Sequence, residues 1–272
     1  MKKGVTFGVF PKGMTTREVF AMAKAHGLDG VEVSFTESGE LRLDSTPAEV
    51  AAVKTAAKEE GIELYSVFSG VYWKHAFTYE PEMEMAMKMG YRQIEIAEAL
   101  DCNSVLIVPG IVSGAADPMG DIPYDVAYDR ALECMTKLAA FGKERGVRVG
   151  VENVWNKFLL SPLEMRNFVD AAGAAAYFDA GNVLVNGYPE HWIKILGDRI
   201  CKVHVKDFST KIGNINGFVD MFSGNMDFKT TMEALKAVGY DDYITAEYGC
   251  CKAAPEVRIA TLSAALDKLL AY

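Results

Sequence analysis

VRVGVENVWNKFLLSPLEMRNFVDAAGAAAYFDAGN (residues 147–182) contains one full repeat of the pattern that organises this chain. Residues 147–153 form an apolar run that reads as a buried strand, and residues 161–173 follow with helical spacing. A second apolar run, 174–182, opens the next repeat. Runs apolar on both faces suit parallel strands covered by helices, since a half-solvated antiparallel strand would alternate. Each run reaches a carboxylate near its end, Glu152 in the first and Asp179 in the second.

The same alternation extends in both directions. Strand patterns lie at 5–10, 30–35, 63–69 and 104–110 on the N-terminal side, and at 200–208 and 242–249 on the C-terminal side. Helical spacing fills 15–27, 46–61, 82–101, 123–146, 189–199, 227–239 and 255–272. The 46–61 segment carries a Thr cap, a Pro in its first turn and a closing Gly. Eight strands alternating with eight helices in 272 residues predict a single (β/α)8 barrel, one domain over 1–272. A doubly wound open sheet would carry a Gly-rich loop after its first strand, and VFPKGMT is not one. The longest strand-to-helix loops, 70–80, 111–122 and 209–226, are expected on the active face.

Composition excludes several classes. With 28 Lys and Arg against 37 Asp and Glu, the net charge is -9 and no basic stripe appears, so a nucleic-acid partner is not expected. No apolar run approaches the roughly 20 residues that span a bilayer. Five Cys, at 102, 134, 201, 250 and 251, show no CxxC spacing and no signal peptide precedes the first strand; reduced thiols in a cytoplasmic protein are expected. The Cys250-Cys251 pair reads as two small residues after a strand.

Four polar residues end the last four strand patterns: Glu152 in VRVGVEN, Asp179 in AAAYFDAGN, His204 in ICKVHVKD and Glu247 in DYITAEYG. In a barrel they emerge at one rim and converge. Three carboxylates with one imidazole suit a hard or borderline divalent cation, Mn first, with Mg, Co or Zn as alternatives. Glu152 and Glu247 would face each other across it, placed to take a proton from one side of a substrate and return one to the other. Lys206 should point the same way as His204, to hold a substrate oxygen or to pair with Asp179 or Asp207. Asn182 is a candidate for a substrate hydroxyl or a turn cap, and Trp155 for stacking on a substrate or a packed lid. Glu32, in VEVSF of the second strand, reads as a structural rim residue, with reach into the pocket as the alternative.

GVENVWNKFLLSPLEM, YFDAGN, VHVKDF, GFVDMFSGNMDF and GYDDYITAEYG together resemble the sugar phosphate isomerase/epimerase proteins of the xylose-isomerase-like barrel superfamily. The likeness runs over nearly the whole chain. It implies an enzyme that binds one divalent metal through Glu152, Asp179, His204 and Glu247. It also implies a ketose or ketose phosphate substrate and Glu152 with Glu247 as the acid/base pair; homo-oligomers are common among such proteins. Two departures bear on the substrate. Free-sugar epimerases of this kind carry His where this chain has Asn182, and an Arg beyond the His ligand where this chain has HVKDFSTK. The DxGN and HxKD forms resemble members acting on phosphorylated ketoses. FSGNMDF also lacks the Glu of a GEG segment common in relatives. Dehydratases of the inosose or dehydroshikimate type and hydroxypyruvate isomerase share this metal set and are the alternatives. A non-catalytic sugar-binding protein would tolerate loss of ligands.

Overall fold

A computed structural model describes residues 1–112, 122–249 and 254–272. Cys250, Cys251 and positions 113–121 of the expected active-face loop lie outside the described residues. The barrel strands are β1 (Lys2–Thr6), β2 (Gly30–Phe35), β3 (Glu63–Ser69), β4 (Ser104–Ile107), β5 (Arg148–Glu152), β6 (Ala175–Asp179), β7 (Ile200–Val205) and β10 (Tyr243–Ala246). All pair in parallel, and β10 pairs with β1 to close the ring. The helices are α1 (Thr16–Ala25), α2 (Pro47–Glu60), α3 (Glu80–Ala99), α4 (Tyr124–Glu144), α5 (Pro162–Ala172), α6 (Pro189–Leu196), α7 (Phe228–Ala237) and α8 (Pro255–Leu270). One helix follows each barrel strand, giving the (β/α)8 architecture that the alternation predicts. No described helix is long and apolar enough to cross a membrane.

Two differences from the sequence pattern have physical causes. The first strand starts at Lys2 instead of residue 5, and Phe7–Val9 turn away as a 3-10 segment. Lys2 and Lys3 hide its start, but at the barrel floor their charges are met by Glu63 (2.6 Å) and Asp267 (2.7 Å). The long loop after β7 also contains a short antiparallel ribbon, β8 (Asp207–Phe208) with β9 (Phe218–Val219).

Hydrophobic burial supplies the main driving force. Outward residues such as Val31, Val33, Val151, Phe178, Val203 and Val205 are buried. Inside the ring, large residues face small ones. A Cβ on Gly150 would lie 2.8 Å from the Tyr177 ring, so glycine on β5 makes the space that the β6 tyrosine fills. Between Val31↔Leu64 and Val33↔Val67 the β2–β3 register slips by one residue. This bulge lets neighbouring Tyr65 and Ser66 both reach interior partners, Thr245 and Tyr177.

Candidate metal centre

Strand periodicity builds the site. Along β7, Lys202, His204 and Lys206 share the inward face at alternate positions. Lys202 bonds Asn103 and Asp242 at the floor, His204 sits at mid-height, and Lys206 lies just past the strand at the rim. Asp179 is paired in register with His204, while Glu152 ends β5 and Glu247 follows β10. The backbone N–H of Glu247 donates to Val205 O at 3.3 Å, which anchors it beside β7.

The four side chains predicted to converge do so: one ligand atom from each of Glu152, Asp179, His204 and Glu247 lies within 4.8 Å of all the others. His204 Nδ1 is 3.5 Å from Glu152 Oε1 and 3.8 Å from Glu247 Oε2. It is buried without a hydrogen-bond partner, whereas Nε2–H donates to Glu32 Oε2 at 2.8 Å. An orphaned imidazole nitrogen aimed among three carboxylates fits a divalent cation, which would satisfy it. Lys206 Nζ is the positive charge that faces this group. It contacts Asp179 Oδ2 at 2.6 Å and also pairs with Glu247. The Asp179 contact is an ion pair without hydrogen-bond alignment, since Oδ2 is otherwise unpartnered.

The electrostatics follow from burying like charges. Burial pushes the Glu152 carboxyl up to about 7, and Glu247 and Asp179 add to the rise against His204. Burial also raises Asp179, with Lys206 opposing. For Glu247 burial acts upward too, but Lys206 and His204 outweigh it and hold it at about 2. Burial disfavours the His204 imidazolium, yet Glu32 and Glu247 outweigh it and raise His204 well above its ordinary value. Such a group holds protons where a divalent cation could take their place.

The remaining candidates have definite surroundings. Lys206 lies on the same side as His204 and adopts the pairing with Asp179, not with Asp207. Asn182 lies in the turn after β6, which the Asp179 carboxylate caps: Asp179 Oδ1 accepts from the Asn182 backbone N–H at 2.9 Å, and the Asn182 side-chain amide donates to Asn153 O at 2.9 Å. Trp155 packs edge-on against Phe208 and tilted against Phe218, and its Nε1 donates to Asn182 O. With Asn182 it lines a pocket of about 220 Å³ beside the centre. Lys206 Nζ lies 4.9 Å from the Phe218 ring, which in turn neighbours Tyr248.

Three contributors are not evident from periodicity. Asn153 clamps the Asp179 peptide, accepting from its N–H at 2.9 Å and donating to its O at 2.8 Å. Glu32 is fully buried beneath His204. Asp207 accepts N–H bonds from Phe208 (2.8 Å), Gly224 (2.8 Å) and Met226 (3.0 Å), which fixes the ribbon loop over the rim. Each had a sequence signal, an Asn after a ligand Glu, an Asp after Lys206 and Glu32 within VEVSF, but none reveals its partner; for Glu32 the structure shows reach into the barrel interior instead of a rim position.

Solved structures share the fold over essentially the full chain. A D-tagatose 3-epimerase-like protein superimposes with a TM-score of 0.80 at 20% identity, over 100% of this chain and 97% of that one. An L-ribulose 3-epimerase gives 0.80 at 15%, over 99% and 94%. The 3-keto-D-glucoside 4-epimerase of E. coli gives 0.78 at 17%, over 100% of both chains. A curated relative, an uncharacterised protein of Methanocaldococcus jannaschii, is 26% identical over 164 residues, which is 57% of this chain. The match takes in about half of that relative's length, 53%. The model of the xylose isomerase-like TIM barrel family matches residues 20–269, and the chain belongs to that family.

Proposed function

We propose that this protein is a divalent-metal-dependent isomerase/epimerase acting on a ketose or ketose phosphate. The observation that carries the reading is the orphaned His204 Nδ1 among the buried carboxylates of Glu152 and Asp179 and the half-buried one of Glu247, with the two glutamates at opposite sides of the cluster. β6 and β7 stand between the strands that place Glu152 and Glu247. The resemblance of the fold to structures named as ketose and ketoglycoside epimerases points the same way.

Glu152, Asp179, His204 and Glu247 would hold the ion, with Mn the first choice. When bound, such an ion polarises a substrate carbonyl and offsets the negative charge that develops when the neighbouring carbon loses its proton. Glu152 and Glu247 do the proton work: one takes the proton from carbon and the other returns a proton to the opposite face. Lys206 donates one N–H to Glu247 and faces Asp179 as an ion pair, which leaves donor capacity for a substrate oxygen. Trp155 and Phe218 supply an apolar wall that keeps water off that side.

The test is turnover of ketoses, ketose phosphates and inososes in D2O with added Mn, followed by NMR. Inverted product with deuterium at C3, abolished by a chelator, is the expected result. Glu247→Gln should lower turnover by about 10²–10⁴-fold while the protein stays folded. Loss of water from an inosose would instead identify a dehydratase. Absence of exchange in every substrate class would remove the catalytic reading.

A further inference from the structure

We infer that Glu32 is a positioning residue for the metal centre: from the opposite side of the barrel it fixes the His204 imidazole with Nε2 protonated and Nδ1 turned toward the three carboxylates. The inference rests on the metal-dependent reading above and adds a residue to it.

Four observations carry it. Glu32 is fully buried, so its carboxylate has no water to satisfy it. Its Oε2 accepts from His204 Nε2 at 2.8 Å, across the barrel from β7 to β2. Its Oε1 accepts from the Tyr177 hydroxyl, which also lies 3.2 Å from Ser66 Oγ. The Tyr177 ring meets the His204 ring edge-on at 4.9 Å between centroids, which blocks rotation of the imidazole. The hydroxyl therefore orients the carboxylate, and the carboxylate in turn orients the imidazole. Because Nε2 carries the hydrogen that Glu32 accepts, the lone pair left for a cation is the one on Nδ1. A carboxylate behind a ligating imidazole also strengthens its donor nitrogen.

Mn affinity of the chelator-stripped protein, measured by calorimetry for the wild type, Glu32→Gln and Tyr177→Phe, tests this. Glu32→Gln keeps the shape and removes the charge; it should weaken Mn binding by roughly 10–100-fold, and Tyr177→Phe by less. A residue that only filled space would lower the melting temperature and leave the affinity unchanged. Long-range 1H–15N correlation spectra of the Mg-loaded wild type, which need no variant to fold, should show His204 protonated on Nε2. A folded Glu32→Gln that binds Mn within about twofold of wild type, or a wild-type His204 protonated on Nδ1, overturns the inference and leaves the metal centre standing. A wild type that binds no divalent ion overturns the proposed function and this inference with it.

Discussion

Glu152 shows at the scale of one residue how the site trades stability for chemistry. Its carboxyl is raised from 4.5 to about 7, mainly by burial. Between those values the folded chain holds a proton that the unfolded chain has released. The contribution of Glu152 is therefore fully present below about pH 4.5 and lost as the pH rises through about 7. Glu152→Gln removes a group that must ionise in a buried place. In chelator at pH 8 this variant should melt above the wild type, and near pH 4 the two should converge. Thermal unfolding at the two pH values checks this; equal melting temperatures at pH 8 would refute it. The same variant should lose Mn binding. The four convergent residues were legible because each stands at or next to the C-terminal end of a strand, and such ends meet at one rim wherever the barrel closes. Glu32 lies inside β2 with its side chain in the barrel interior, and Asn153 directly follows β5. Their roles depend on partners 172 and 26 residues away, His204 and Asp179, which periodicity does not identify.

At the scale of elements, helices were easier to read than the structure over the rim. α2 announces itself by Thr46, Pro47 and Glu49 at one end and Gly61, at φ 69, at the other; the Thr46–Glu49 capping box forms as the local chemistry dictates. The β8–β9 ribbon has two residues per strand, too few for any alternation to register. What holds it is Asp207, whose carboxylate collects three backbone N–H groups from both ends of the loop. A Cβ on Gly224 would collide with that carboxylate, so glycine is required for the close approach. Asp207→Ala leaves these donors unsatisfied and should cost about 2–3 kcal/mol. It should also release Phe218, and with it the wall beside Trp155. Hydrogen exchange at residues 218–226 should accelerate, and kcat/KM should fall more than the melting temperature alone explains. Unchanged exchange in that segment would show that the aromatic contacts, not Asp207, hold the loop.

Across the whole molecule, the two ends of the barrel have different tasks, and one design separates them. The rim carries the charges suited to a cation, while the floor carries pairs that satisfy one another. Lys202 is 1% exposed there, held by Asn103 and Asp242 at 2.7 Å each. Removing one partner of a buried pair strands the other, at 3–5 kcal/mol when both are fully enclosed. Asp242 keeps 31% of its side chain in water, so Lys202→Met should cost less, about 2 kcal/mol. For a chain of this size that lowers the melting temperature by roughly 4 °C. A bound ion acts independently through mass action: at a hundredfold excess over Kd it stabilises by about 2.7 kcal/mol, or roughly 5 °C. Lys202→Met should therefore melt lower than wild type both with Mn and with chelator, with the Mn-induced increment and the turnover per folded molecule intact. Glu152→Gln should show the reverse: a higher melting temperature in chelator at pH 8 and no increment with Mn. Paired thermal scans of the three proteins decide it. A Lys202→Met increment much smaller than wild type would mean that the floor and the rim are coupled through the stacked interior side chains of β7.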